Sequence, residues 1–365
     1  MKKTVVDLVA GARPNFMKVA PLYHALTGSD FASPRLVHTG QHYDAEMSDT
    51  FFADLMMPAP DFHLGGGGRS HAEQTGRVMT AYEKLLQADP PGWVVVVGDV
   101  NSTLACALAA KKLCLPVAHL EAGLRSGDRS MPEEINRLAT ASIVDLLWTP
   151  SPDADANLQR EGVTPSKIAR VGNIMIDSYE MMRASIDACA IRGELKLAAG
   201  QYAVLTLHRP ANVDDRAVLT KLVGIIERIC ARIPLVFPMH PRTKSRIEEF
   251  GLMERVAAMP GLKLLPPISY IPFMALVSTA RFAITDSGGV QEETTYLHLP
   301  CITLRATTER PVTVTQGTNR LCHPDGLAGA VDKILSGDWP RGEIPEMWDG
   351  HTAARVVESL RQHLN

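Results

Sequence analysis

The residues best suited to chemistry stand in Ile284-Thr285-Asp286-Ser287-Gly288-Gly289-Val290-Gln291-Glu292-Glu293, followed by Thr307-Thr308-Glu309-Arg310-Pro311. Arg281-Phe282-Ala283-Ile284 reads as a buried strand, and the polar turn after it as the opening of a helix. Such an opening exposes free N–H groups and the positive end of the helix dipole, which suits a phosphate. Gly288 and Gly289 carry no Cβ, so an anion can approach the backbone closely. Glu293, one turn inside the helix, can reach toward a ribose. A strand–turn–helix connection that needs glycine only for its dihedrals would look the same in isolation. Arg305 and Arg310 add cations nearby.

Comparable groups stand at other expected strand ends. Gly11-Ala12-Arg13-Pro14-Asn15-Phe16-Met17-Lys18 follows the first apolar run and brings Arg13 and Lys18 near a helix start. Arg13 could clamp a phosphate or a hydroxyl; a solvated surface pair is the alternative. Val94–Val97 runs into Gly98-Asp99, where Asp99 either meets a ligand or serves as a cap. Glu121 is a carboxylate in an otherwise apolar segment. Burial would raise its pKa and suit acid/base work, whereas pairing with Arg125 would lower it. In Pro132-Glu133-Glu134-Ile135-Asn136-Arg137, Glu133 and Arg137 share one helix face. They offer either an acid for chemistry or a salt bridge at a dipole-favoured helix start. His208 and His240 end two successive strands of the second half, where His208 can donate to a pyrophosphate oxygen. No His, Cys or Asp cluster has metal-ligand spacing, and neither a Walker A motif nor a Gly-x-Ser-x-Gly elbow occurs.

Something must hold these groups at strand ends. Apolar β-branched runs alternate with helical patterns throughout the chain. Strands are expected near 4–9, 36–39, 93–97, 117–120 and 146–149, then near 169–171, 203–207, 235–238, 263–265, 282–285 and 301–304. Ser70-His71-Ala72-Glu73 has the capping-box pattern, Pro132 suits a first helical position, and Asp214 and Asp215 open a further helix. The Gly65–Gly68 run reads as a flexible loop. Strands that are apolar throughout and separated by helices imply parallel sheets covered on both faces. The fold expected is α/β, with two doubly wound Rossmann-like domains whose sheets face a central cleft. The domains are expected at residues 1–172 and 173–349, with a last helix at about 350–365 packing back on the first. In such sheets ligands sit beyond the carboxyl ends of the strands.

Bulk composition narrows the function. The 365 residues suffice for two domains, and 45% hydrophobic content can build full cores. A net charge of −3 argues against a nucleic-acid partner. The 6 cysteines lack a Cys-x-x-Cys pair and read as reduced, mostly buried thiols of a cytoplasmic protein. No apolar run reaches the length of about 18 residues that a membrane span requires, so no membrane insertion is expected.

Taken in order, the motifs resemble those of the non-hydrolysing UDP-N-acetylglucosamine 2-epimerases. The resemblance runs from Gly11 to about Arg320. It rests on Gly-Ala-Arg-Pro-Asn-Phe-Met-Lys, His-Thr-Gly-Gln-His-Tyr, Gly-Asp-Val-Asn-Ser-Thr, His-Leu-Glu-Ala-Gly-Leu-Arg, Pro-Glu-Glu-Ile-Asn-Arg, Leu-His-Arg, Asp-Ser-Gly-Gly-Val-Gln-Glu-Glu and Thr-Thr-Glu-Arg-Pro. It implies a glycosyltransferase-B-like fold, a homodimer, a UDP-sugar substrate and no metal or nicotinamide. It also implies inversion at C2 by loss of UDP to a glycal and its re-addition. Asp99, Glu121 and Glu133 then become the acid/base groups, with the assignment of each to a face of the sugar left open. Arg13, Lys18 and Arg137 would organise sugar and carboxylates. His208, with His240 at the neighbouring strand end, and Ser287, Gly288 and Gly289 would meet the diphosphate. Glu293 would hold the ribose, and Arg310 would assist the nucleotide phosphates. Two departures stand out. Ala306 takes the place of the Asp in the family's Arg-Asp-Thr-Thr-Glu-Arg, and after Gln41-His42 a basic residue common in bacterial members is replaced by Tyr43-Asp44. The Tyr43–Met47 stretch, with Arg129-Ser130-Met131, is similar to a branch that includes archaeal enzymes and relatives acting on UDP-diacetamido-uronic acids. The readings carried forward are a UDP-GlcNAc 2-epimerase and a 2-epimerase of a UDP-2,3-diacetamido sugar. A hydrolysing epimerase, a glycosyltransferase of the same architecture and a silent UDP-sugar binder remain as further alternatives.

Overall fold

The computed structural model describes residues 3–40, 52, 54–68 and 70–364. It forms two compact units, Met1–Met182 with Glu346–Asn365, and Arg183–Pro345.

Trp93–Val97 is four valines after a tryptophan, buried at every position. Such a run has no polar face to offer water, so it fits only a strand covered on both sides. It lies inside a parallel sheet of seven strands among the described residues. These are β1 (Thr4–Ala10), β2 (Ala32–His38), β3 (Phe62–His63), β4 (Trp93–Val97), β5 (Val117–Leu120), β6 (Leu146–Thr149) and β7 (Ile168–Arg170). The order is β3-β2-β1-β4-β5-β6-β7. Successive strands add outward from β1 on one side and from β4 on the other. The order therefore reverses between β1 and β4, the position beyond whose strand ends sheets of this kind take their ligands.

The second unit repeats this plan. Its strands are β8 (Ala203–Leu205), β9 (Leu235–Pro238), β10 (Leu262–Leu265), β11 (Phe282–Thr285), β12 (Cys301–Thr303) and β13 (Asn319–Leu321). Their order is β10-β9-β8-β11-β12-β13, with the reversal between β8 and β11. Phe237, Phe282, Ile284 and Ile302 of the sheet pack with Leu222, Ile226 and Ile229 from the helix Arg216–Cys230 in one apolar core.

Helix starts follow local chemistry. Ser70 caps His71–Ala88 by accepting from the Glu73 N–H at 3.2 Å. Asp215 caps Arg216–Cys230 through the Val218 N–H at 2.9 Å, and Pro132 is the first residue of Pro132–Ile143. The last helix, Thr352–Gln362, packs on Arg13–Thr27. Its first N–H groups, those of Thr352 and Ala353, donate to the buried Asp177 carboxylate.

Several bounds differ from the sequence-based expectations, for physical reasons. β2 begins at Ala32 and runs through Pro34. It pairs with β1 along its whole length but with β3 only at Val37 and His38, so the missing Pro34 N–H leaves no ladder bond broken. β8 stops at Leu205, two residues early, because the backbone N–H groups of His208 and Arg209 turn to the Asp286 carboxylate. β3 and β13 were not expected; they are short edge strands with no apolar run to mark them. The Gly65–Gly68 run is pinned, not loose. The Gly66 N–H donates to Thr39 at 2.7 Å, and a Cβ on Gly66 would lie 2.2 Å from Val78 Cγ2. All six cysteines are free thiols, and Cys106, Cys230 and Cys301 are buried. Among the described residues no helix is long and apolar enough to cross a membrane.

Candidate active site

In the first unit the site grows from the ends of β1, β4 and β5. After β1, the turn at Gly11 and Ala12 is tied by Asn15, whose Oδ1 accepts both N–H groups at 3.2 and 3.0 Å. Asn15 Nδ2 donates back to the carbonyl of Val97 at the end of β4. One helical turn later comes Lys18, only 8% exposed. Gly98 follows β4 with φ +67, a conformation that suits glycine. A Cβ there would stand at ordinary contact distance from Asn15 Nδ2, Lys18 Nζ and Glu121 Oε2, at 3.4, 3.4 and 3.5 Å, so the backbone conformation rather than space calls for glycine.

Glu121 follows β5 with φ +68. A non-glycine residue there is strained, and such strain persists only where the surroundings over-determine it. Its carboxylate is buried and ion-paired with Lys18. The alternative pairing with Arg125 does not form. Arg125 instead makes a two-pronged contact with Glu161, at 2.8 and 2.6 Å.

Asp99 stands beside these groups, since Val97 and Leu120 are register partners. Arg137 holds it through Nε at 3.0 Å and a terminal nitrogen at 2.5 Å. The same guanidinium grips Glu134 at 2.6 Å. Arg137 thus pairs with Glu134 and Asp99 rather than with Glu133 four residues earlier. Glu133 is half-buried on the next face of the helix. Glu134 also accepts from the backbone N–H groups of Ser126 and Gly127. Burial alone would raise its pKa, but these two N–H groups and Arg137 outweigh burial and hold it below the usual range. Glu134 therefore carries its charge at neutral pH and fixes Arg137. Spacing alone had left it unassigned, because the adjacent Glu133 has the same chemistry and only packing distinguishes them. Arg13 opens the helix Arg13–Thr27; its side chain, and all of Gln41, His42, Tyr43, Asp44 and the rest of Tyr43–Met47, lie outside the described residues.

In the second unit the groups gather at β8, β9 and β11, around that sheet's reversal. Asp286 follows β11 directly and is fully buried. It accepts from the backbone N–H groups of His208 and Arg209, from Asn212 Nδ2 at 3.1 Å and from His208 Nδ1 at 2.8 Å. Burial opposes its charge, yet His208 and the two backbone N–H groups hold its pKa below normal. His240 caps the helix Pro241–Glu249, its ring 5.5 Å from that of His208. Burial, helped by His208, lowers the His240 pKa.

Ser287 is the N-cap of the helix Gly288–Tyr296. A Cβ on Gly288 would stand 2.6 Å from Glu309 Oε1 and 3.0 Å from an Arg310 nitrogen, whereas one on Gly289 would meet nothing within 4 Å. A side chain at Gly288 would thus push on the ends of the Glu309 and Arg310 side chains, and Gly289 leaves its backbone open to approach. Arg310 pairs with Glu292 and Glu309, each at 2.8 Å, and Arg305 pairs with Glu309 at 2.8 Å. Both cations already serve buried carboxylates, which leaves the N–H groups of the helix start as donors that could meet an anion. Gln291 ties the turn to the following loop. It donates to the Ser287 carbonyl at 3.0 Å and accepts from Thr308 at 2.7 Å. Burial pushes the Glu293 carboxyl up to about 8, with Tyr270 and Arg310 pulling down and Glu292 pushing up. Burial thus favours its neutral form, which can donate as well as accept. Among the described residues no group of His, Cys, Asp or Glu is set to hold a metal ion.

This turn makes a sharp prediction. Gly288→Ala must displace Glu309 or Arg310, and UDP affinity measured by calorimetry is expected to fall at least about tenfold, or about 1.4 kcal/mol. An unchanged Kd would show that the turn takes no part in binding an anion of this kind.

Comparisons with known proteins bear on the whole chain. The family model described as UDP-N-acetylglucosamine 2-epimerase matches residues 24–361. A UDP-N-acetylglucosamine 2-epimerase of Methanocaldococcus jannaschii is 42% identical, covering 97% of this chain and 98% of the relative. A UDP-2,3-diacetamido-2,3-dideoxy-D-glucuronate 2-epimerase of Pseudomonas aeruginosa is 41% identical over 86% of each chain. The crystal structure of the M. jannaschii UDP-GlcNAc 2-epimerase in complex with UDP-GlcNAc and UDP superposes with a TM-score of 0.88, at 38% identity over 98% of this chain and 99% of that one. The glycosyltransferase-B-like fold of two doubly wound units is thus shared with that structure along nearly its full length, and the chain belongs to the UDP-N-acetylglucosamine 2-epimerase family.

Proposed function

We propose that the protein interconverts UDP-N-acetylglucosamine and UDP-N-acetylmannosamine. The observation that carries this reading is the group of Asp99, Glu121, Lys18 and Arg137 at the ends of β4 and β5 and on adjoining helices. Binding a nucleotide sugar needs no such acids, whereas moving a proton at C2 does.

The C2 hydrogen is unactivated, because no carbonyl adjoins it in the ring. When the C1–O bond to UDP breaks, its electron pair leaves with UDP and positive character develops on the ring. A carboxylate then takes the C2 proton, and the C2–H pair becomes the C1=C2 double bond of a glycal. Delivering a proton to the opposite face of C2 and returning UDP to C1 gives the epimer with no net change in atoms or electrons. Asp99, Glu121 and Glu133 are the proton carriers in this reading. Lys18 and Arg137 hold two of them in place. The second unit retains UDP: His208 and His240 meet the diphosphate, Ser287, Gly288 and Gly289 cradle it, Glu293 holds the ribose, and Arg310 keeps that turn closed. Donors already in place for the departing diphosphate need no reorganisation as charge develops on it. Arg13 and assembly as a homodimer complete the reading.

The test is proton NMR of the purified protein with UDP-GlcNAc in D2O. UDP-ManNAc carrying deuterium at C2 supports the reading. Release of free ManNAc makes the protein a hydrolysing epimerase. Turnover only of a UDP-2,3-diacetamido uronate keeps the mechanism and moves the substrate to that of the Pseudomonas relative. Inertness toward all of these overturns the proposal.

A further inference from the structure

Asp286 lies at the centre of the second unit's polar groups, yet neither the motif spacing nor the mechanism above gives it a task. Its carboxylate is fully buried at the end of β11, and every described contact is a donor: His208 N, Arg209 N, Asn212 Nδ2 and His208 Nδ1. A carboxylate so surrounded stays ionised, and an ionised carboxylate can only accept. The His208 ring nitrogen that faces it at 2.8 Å must therefore carry a hydrogen, whatever the charge on the ring. Only Nε2 is left to exchange a proton or a hydrogen bond with anything outside, and the His208 side chain is 34% exposed.

The neighbouring His240 has the opposite arrangement. Its Nδ1 accepts from the Arg242 N–H at 3.2 Å, so its hydrogen sits on Nε2. The His240 ring stands 5.5 Å from that of His208, and Asp286 meets His208 Nδ1 directly.

We propose that Asp286 is the positioning residue for His208: it fixes the hydrogen on Nδ1 and turns Nε2 toward the diphosphate of the bound nucleotide. The proposal rests on the reading of His208 as a diphosphate contact and adds the group that orients it. Correct orientation of an imidazole by a buried carboxylate sets both its tautomer and its geometry. The backbone bonds to His208 and Arg209 tie the same carboxylate to the end of β8, so ring and backbone are held as one body.

The experiment uses the full chain labelled with 15N-histidine, with His208 assigned by its absence in His208→Gln. The expected result is an Nδ1–H tautomer in the parent protein, with the Nε2 resonance moving when UDP is added. In Asp286→Asn the amide can donate to Nδ1, and the expected tautomer is Nε2–H. The kcat of this variant should fall on the order of 10²-fold or more, with KM within about threefold. In the His208→Gln background, Asp286→Asn should cost less than about threefold more, since the two act through one ring. An Nε2–H tautomer in the parent protein overturns the proposal even if Asp286→Asn does not fold, and so do multiplicative losses in the double variant. An Nδ1–H ring that ignores UDP leaves the Asp286 contact standing and removes His208 from the diphosphate.

Discussion

Glu121→Gln is expected to reduce epimerisation at least about 10³-fold while UDP binds within about tenfold of the parent affinity. Glutamine has the same shape, so it can occupy the same pocket and the same strained backbone at φ +68. What it lacks is a proton to give or a charge with which to take one. The interaction lost exists only while C2 is changing hybridisation, so kcat should fall and the nucleotide should still bind. Lys18 would lose its carboxylate partner at only 8% exposure, and thermal unfolding should be recorded alongside to separate instability from lost chemistry. Asp99→Asn is expected to behave in the same way. Deuterium incorporation at C2 gives the decisive readout. If both variants wash deuterium into C2 at the parent rate, neither residue carries the proton.

The second large effect concerns Arg137. It is 4% exposed and bridges Asp99 and Glu134. Arg137→Met keeps the apolar stem but leaves Glu134, at 2% exposure, with only N–H and hydroxyl partners from Ser126 and Gly127. Breaking a buried pair from one side costs about 3–5 kcal/mol. Urea unfolding at neutral pH should show a loss of that size, and turnover should fall because Asp99 loses its anchor.

The pH dependence has a defined sign. Arg137 and the N–H groups of Ser126 and Gly127 hold the pKa of Glu134 in the folded protein below the ordinary glutamate value. Its stabilisation is therefore present above that value and disappears as pH falls through the lower folded one. Without Arg137, less opposes the upward push of burial on Glu134. The gap in stability between parent and variant should be widest at neutral pH and narrow as the medium becomes acid enough to protonate Glu134 in both. A gap that stays constant with pH would assign the effect to packing alone.

Much of this protein was legible from residue order. Runs such as Trp93–Val97 and Phe282–Thr285 admit only covered parallel strands, because they leave no face for water. Their alternation with helices fixed the α/β class and the doubly wound plan. Gly98-Asp99, Glu121, His208 and Ser287-Gly288-Gly289 could be placed at strand ends, because glycine and polar residues break an apolar run where the strand must stop.

Tertiary structure alone decided which charge meets which. Spacing offered Glu121 to Arg125 and Glu133 to Arg137. Packing gave Glu121 to Lys18, 103 residues away, Arg125 to Glu161, and Arg137 to Glu134 and Asp99. Local spacing reports only which side chains could touch along one helix, whereas burial selects the partner that lets both charges leave water together. The same holds for Asp286, whose role depends on a histidine 78 residues earlier in the chain. The left-handed backbone of Glu121 is likewise invisible in sequence, since nothing in a glutamate's own preferences calls for φ +68. Only the surrounding sheet ends can hold it there.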